Sequence, residues 1–142
     1  MKSKIGVATI LILVTAPAGR LMAQGTAPAP RTISVNMTQT GPTTFAYQPA
    51  QITAHPGDTL RFVQVGAMPH NVQFTRVPAD AALGAAMMGP FLTVPNQTYT
   101  LVVDGRFAIG SYHFVCTPHE AMGMTGTLAV TSAGPVTSSS LR

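Results

Sequence analysis

Between Tyr112 and Met124 the chain reads YHFVCTPHEAMGM, and several side chains in it could bind a metal or react. Cys116, the only cysteine, stands three positions before His119, and Met122 and Met124 follow. A thiolate is both a nucleophile and a metal ligand, an imidazole is a base or a ligand, and a thioether suits soft metals. Several readings are therefore open: a Cys116 nucleophile with His119 or His113 as base, an inert core thiol, a zinc site, a copper carrier, or a copper redox site.

The strand leading into Cys116 narrows them. Side chains alternate faces along a strand, so Tyr112, Phe114 and Cys116 share one face and His113 and Val115 the other. Two aromatic rings mark the first face as the core, which turns Cys116 inward and His113 toward solvent. An inward thiolate needs its charge compensated, and a metal does that. Cysteine, two histidines and a weak axial methionine form the blue-copper donor set. His119, on a loop shaped by Pro118, offers one histidine. For the second, His70 follows Pro69 and opens the segment HNVQFTR, whereas His55 sits in the turn HPGD as an ordinary solvated residue.

The surrounding sequence must hold these groups. TISVNMTQT, FAYQPAQITA, TLRFVQV, HNVQFTR, QTYTLVV, AIGSYHFVC and GTLAVT read as short strands separated by Gly, Pro and Asp turns. In TLRFVQV, Leu60, Phe62 and Gln64 alternate with Arg61, Val63 and Val65. FAYQPAQITA reads as a strand pair, or one strand kinked at Pro49. The expected fold is an all-β, Greek-key antiparallel β-sandwich of seven or eight strands, with one short helical segment near 78–88.

The ends read differently. Lys2 and Lys4 precede an apolar run from Ile5 to Val14 that is too short to span a bilayer, and small residues lead to Ala23. Residues 1–23 are expected to be a secretory signal peptide, 24–31 a flexible linker, 32–131 the domain, and 132–142 a mobile tail. The formal charge of +4 shrinks without that leader. Arg31, Arg61, Arg76, Arg106 and Arg142 then face Asp58, Asp80, Asp104 and Glu120, a net of one positive charge. No basic cluster argues for nucleic acid. A lone cysteine excludes an internal disulfide, and a single small domain excludes the larger multi-copper enzymes.

The segment FAYQPAQITAHPGDTLRFVQVGAMPHNVQF, followed by YHFVCTPHEAMGMTGTLAV, resembles the plastocyanin/pseudoazurin branch of the cupredoxins. Two motifs carry the resemblance, P-H-N-V at 69–72 and Y-x-F-x-C-x-P-H-x-x-x-x-M-x-G from Tyr112 to Gly126. The resemblance covers about residues 45–131. It implies one type 1 copper per chain, held by His70, Cys116 and His119. For the axial thioether, Met122 would give the shorter amicyanin-like loop and Met124 the plastocyanin-like one. The family's Gly two places after the methionine matches Gly126, so the resemblance favours Met124. It also implies that the Asn71 amide donates to the cysteine sulfur, that the Asn71 side chain ties the His70 loop to Thr117, and that Pro118, lacking an N–H, limits the donors there.

The chain lacks the acidic patch by which plant-type plastocyanins dock. An apolar, Met-rich surface near His119 is expected instead, made by Met68, Pro69, Met87, Met88, Pro90 and Met122. The implied function is one-electron transport, not catalysis. It would involve transient docking to a redox protein donor and acceptor such as a cytochrome, reductase or oxidase. The expected form is a monomer without a membrane anchor, exported most simply to the periplasm. The alternative is a periplasmic copper carrier or chaperone.

Overall fold

A computed structural model describes residues 28–132, so the leader, the first half of the linker and nearly all of the tail lie outside the described residues. Among the described residues, eight strands form two four-stranded sheets. They are β1 (Thr32–Gly41), β2 (Thr44–Gln48), β3 (Gln51–Ala54), β4 (Thr59–Gln64), β5 (Gln73–Arg76), β6 (Thr98–Val102), β7 (Gly110–Val115) and β8 (Thr125–Val130). The first sheet has the order β2-β1-β4-β6 and the second β3-β8-β7-β5.

Period-two patterning builds both layers. Val35 and Met37 of β1 and Leu60 and Phe62 of β4 point inward from one sheet; Phe74, Tyr112, Phe114 and Leu128 point inward from the other. The sheets meet through a ring cluster in which Phe114 lies 4.8 Å from Tyr47 and 5.7 Å from Phe62, both edge to face. Such pairs add about 0.5–1.5 kcal/mol each beyond simple area burial. Val115 is buried as well, so the end of β7 is covered on both faces.

The sandwich is the one expected, with two refinements. Four ladders are antiparallel, but β1 pairs with β4 and β3 with β8 in parallel. The parallel pairs arise because the chain changes sheets around Pro49. β2 belongs to the first layer and β3 to the second.

The helical segment expected near 78–88 is a single 3-10 turn at Gly84–Met87. Its alanines favour helix, but local amides are taken elsewhere: Ala82 N–H donates to Arg106 O and Gly89 N–H to Val72 O. Gly84, which opens that turn, adopts φ +53°, a left-handed conformation that a regular helix could not run through.

Gly126 has a steric reason to be glycine. It faces Phe114 across the β7–β8 ladder, and a Cβ there would strike that ring.

Candidate metal centre

Strand β7 delivers Cys116 to one end of the sandwich, and the loop 116–124 turns back over it. The loop is bonded to itself. His119 N–H donates to Cys116 O (2.9 Å), Met124 N–H to His119 O (3.1 Å), and Cys116 N–H to Met124 O (3.0 Å). A 3-10 turn at Glu120–Met122 is closed by Gly123 at φ +88°. These main-chain bonds fix Cys116, His119 and Met124 relative to one another before any metal arrives.

His70 comes from the connection between β4 and β5. It pairs with Leu92 in both directions, its N–H donating to Leu92 O (3.1 Å) and Leu92 N–H to His70 O (2.8 Å). That bridge brings its ring over the loop. His70 Nδ1 lies 3.1 Å from His119 Nδ1, and Cys116 Sγ lies 3.6 Å and 3.4 Å from these two nitrogens. All three side chains are buried.

The point equidistant from these three atoms is about 2 Å from each, the length of an ordinary bond from a transition metal to nitrogen or sulfur. Three buried donor atoms converging at that spacing fit a single ion. Met124 is fully buried beside them, while Met122 is 44% exposed.

Electrostatics agree with ligation. Burial lowers the pKa of His70 to about 4, with His119 contributing, and burial lowers His119 too. Both imidazoles are therefore neutral near pH 7, as ligands must be. Burial pushes the Cys116 thiol up, opposed by hydrogen bonds from the main-chain amides of Asn71 and His119. A metal entering the site must displace that proton.

Around the donors, hydrogen bonds join the two ligand loops. The Asn71 carboxamide oxygen accepts from Thr117 N–H (2.9 Å) and Thr117 Oγ1 (2.7 Å), joining the His70 loop to the cysteine loop. Pro118 follows Thr117 on the exposed surface. Met68, Pro69, Met88, Pro90 and Met122 are exposed near this end, whereas Met87 is only half-exposed and packs on the core. His113 is elsewhere, with Nδ1 2.9 Å from Thr75 Oγ1, and His55 Nδ1 lies 3.1 Å from Thr131 O.

Two neighbours carry no sequence signal of their own. Phe45 stacks on the His119 ring at 4.0 Å and meets His70 edge-on at 5.5 Å. Tyr47 Oη donates to Asn71 O at 2.6 Å, and burial raises its pKa, with the Cys116 charge adding to the effect. In sequence both look like ordinary core positions of a strand. Val65, Phe91 and Val94, close in the chain to the expected apolar residues, are exposed as well.

Comparison with known proteins gives the same picture. A family model described as copper binding proteins, plastocyanin/azurin family, matches residues 33–131. Plastocyanin of Prochlorothrix hollandica is 33% identical over 125 residues, covering 87% of this chain and 91% of its own. Plastocyanin of Synechococcus sp. (strain JA-2-3B'a(2-13)) is 40% identical over 91 residues, covering 61% of this chain and 64% of its own. Among solved structures, oxidised plastocyanin from Dryopteris crassirhizoma superposes with a TM-score of 0.55 at 29% identity, covering 70% of this chain and 100% of its own. A reduced amicyanin mutant superposes with a TM-score of 0.53 at 30% identity, covering 70% of this chain and 82% of its own.

Proposed function

The chain belongs to the plastocyanin/azurin family of copper-binding proteins, cupredoxins with one type 1 copper, and from that premise we propose that it is an exported shuttle for single electrons. The observation that carries the reading is the buried Cys116–His70–His119 triangle, sized for one ion. Cys116, His70 and His119 would be the strong ligands and Met124 the weak axial one. When bound, copper supplies a one-electron Cu(II)/Cu(I) couple.

The chain's own residues then do three things. The loop bonds of 116–124 and the Leu92 bridge hold the donors in one arrangement, so little reorganises between oxidation states. Asn71 donates its amide to the sulfur and locks the two ligand loops through Thr117, while Pro118 offers no competing donor. The apolar rim excludes water and gives a partner a face on which to dock close to His119.

Met68, Pro69, Met88, Pro90 and Met122 form the core of that docking face, with half-buried Met87 supporting it from below. The partners would be a redox protein donor and acceptor, such as a cytochrome, reductase or oxidase, meeting a monomer of this chain. Export rests on residues 1–23. Among the described residues no helix is long and apolar enough to cross a membrane.

One experiment tests the whole reading. The protein is recovered from the periplasm of an expressing host, loaded with Cu(II), and its visible spectrum taken before and after ascorbate. We expect an N-terminus following Ala23 and an intense blue band that bleaches on reduction, returns on oxidation and is lost in Cys116→Ser. A colourless, readily exchanging copper complex would overturn the shuttle in favour of a copper carrier. Retention in the cytoplasm would overturn export.

A further inference from the structure

Gln64 ends β4 fully buried, a polar side chain on the face that otherwise carries Leu60 and Phe62. Its amide nitrogen donates to the carbonyl of Gly66 (2.9 Å) and to that of Met68. Its main chain reaches a different loop, the N–H donating to Gln97 O (2.9 Å) and the carbonyl accepting from Asn96 N–H (2.8 Å).

Those two loops flank His70. The Gly66–Met68 turn runs through Pro69 directly into His70. The 92–97 segment begins at Leu92, which pairs with His70 on both sides. Inside that segment, Gln97 Oε1 accepts from Thr93 N–H (2.7 Å) and Val94 N–H (3.0 Å), so it is stiffened from its Gln64 end.

Resting on the copper reading above, we propose that Gln64 is a positioning residue for the metal centre. Its carboxamide clamps the loop that places the His70 ring and displays Met68 on the rim. The side-chain type follows from the geometry. Two carbonyl oxygens converge on one terminal group, and only a group with two N–H donors serves both. Gln64 Oε1 is buried without a protein partner, so the described hydrogen bonding of this side chain runs wholly through its nitrogen. A glutamate of the same size would set acceptor oxygens against two carbonyls. A methionine would fill the space and offer no donor.

The test compares the wild-type protein with Gln64→Met, Gln64→Glu and the milder Gln64→Asn, with Arg61→Gln on the outer face of β4 as control. Circular dichroism and thermal melts establish which are folded at the assay temperature. Chelator competition then gives Cu(II) affinity, and visible and electron paramagnetic resonance spectra report ligand geometry. Folded Gln64→Met and Gln64→Glu should bind Cu(II) about 10–100-fold more weakly with altered spectra, the range found when groups that orient metal ligands are removed. Gln64→Asn, too short to reach both carbonyls, should show a smaller change of the same kind and is decisive if the other two do not fold. Variants that melt earlier but keep wild-type affinity and spectra would reduce Gln64 to a stability role and overturn the proposal. A wild-type protein without the blue band would instead defeat the copper reading itself.

Discussion

Among single side chains, the two methionines of the 116–124 loop make the sharpest contrast. Met124 is fully buried in the core cluster, with its main chain tied to both Cys116 and His119; Met122 projects into solvent. Met124→Leu is close in volume and should cost less than about 1.5 kcal/mol of stability. On the proposed ligation it also removes the weak axial thioether, so the copper-loaded variant should shift in reduction potential and spectrum. Met122→Leu should change neither. Voltammetry of the pair checks this, and the reverse pattern would move the axial ligand to Met122. The donors were legible in sequence because Cys116, His119 and Met124 are close in the chain and His70 carries its own local motif. Phe45, Tyr47 and Gln64 were not. A Phe or Tyr on an alternating strand looks like any core residue, and the role of Gln64 depends on where two distant loops end. Its one trace in sequence is an amide among inward-facing apolar residues.

At the scale of elements, alternation identified the strands well because each has one buried face. It does not apply to the segment 78–88, where alanine content suggests helix and long-range hydrogen bonds to Arg106 and Val72 limit it to one 3-10 turn. It was also silent on strand direction, since parallel and antiparallel partners impose the same alternation. The HPGD turn, read only as a turn, proves to be an anchor at the end of β4 opposite the metal centre. Asp58 is buried there and accepts from Arg31 N–H (2.9 Å), His55 N–H (3.0 Å) and Arg31 Nε (3.3 Å). Burial alone would raise its pKa. The amide bonds from His55 and Arg31, with the Arg31 side chain, outweigh that and hold it below the ordinary value. A carboxyl depressed on folding contributes stability that is complete above its unfolded pKa of about 3.9 and is lost as pH falls through the folded value. Stability should therefore fall with pH below about 4. Asp58→Asn turns an NH₂ group toward one of the two backbone donors. It should cost about 1–3 kcal/mol at pH 7 and flatten the acid slope, as read by urea titration at pH 7, 4 and 3. An unchanged slope would place the acid sensitivity elsewhere.

Across the whole molecule, the ion pairs lie away from the metal centre and several exposed apolar residues surround it, with Val102 and Ile109 exposed elsewhere. The Arg31–Asp58 pair and the Asp104–Arg106 pair lie toward the end remote from the metal centre, and Arg76 closes the far end of β5. Around the centre the described surface presents Val65, Met68, Met88, Phe91 and Met122, and Glu120 is the ionisable side chain next to His119 in the chain. A partner meeting this end would gain little from long-range attraction, because charges beyond a Debye length of about 10 Å at 0.1 M salt are largely screened. Association would then be governed by apolar contact, with the modest rate constants of unsteered encounters, on the order of 10⁵–10⁶ M⁻¹s⁻¹. The second-order rate of electron transfer with a redox protein should stay nearly flat between low and physiological salt, which stopped-flow mixing can measure. Met88→Glu should slow that rate about tenfold, equivalent to about 1.4 kcal/mol, while leaving the blue band in place. The same substitution would also make the rate salt-dependent, with a sign set by the partner's charge. A wild-type rate that falls steeply with salt would mean that the remote charged groups, not the apolar end, govern docking. Loss of the blue band in Met88→Glu would mean that Met88 supports the copper site instead of the encounter.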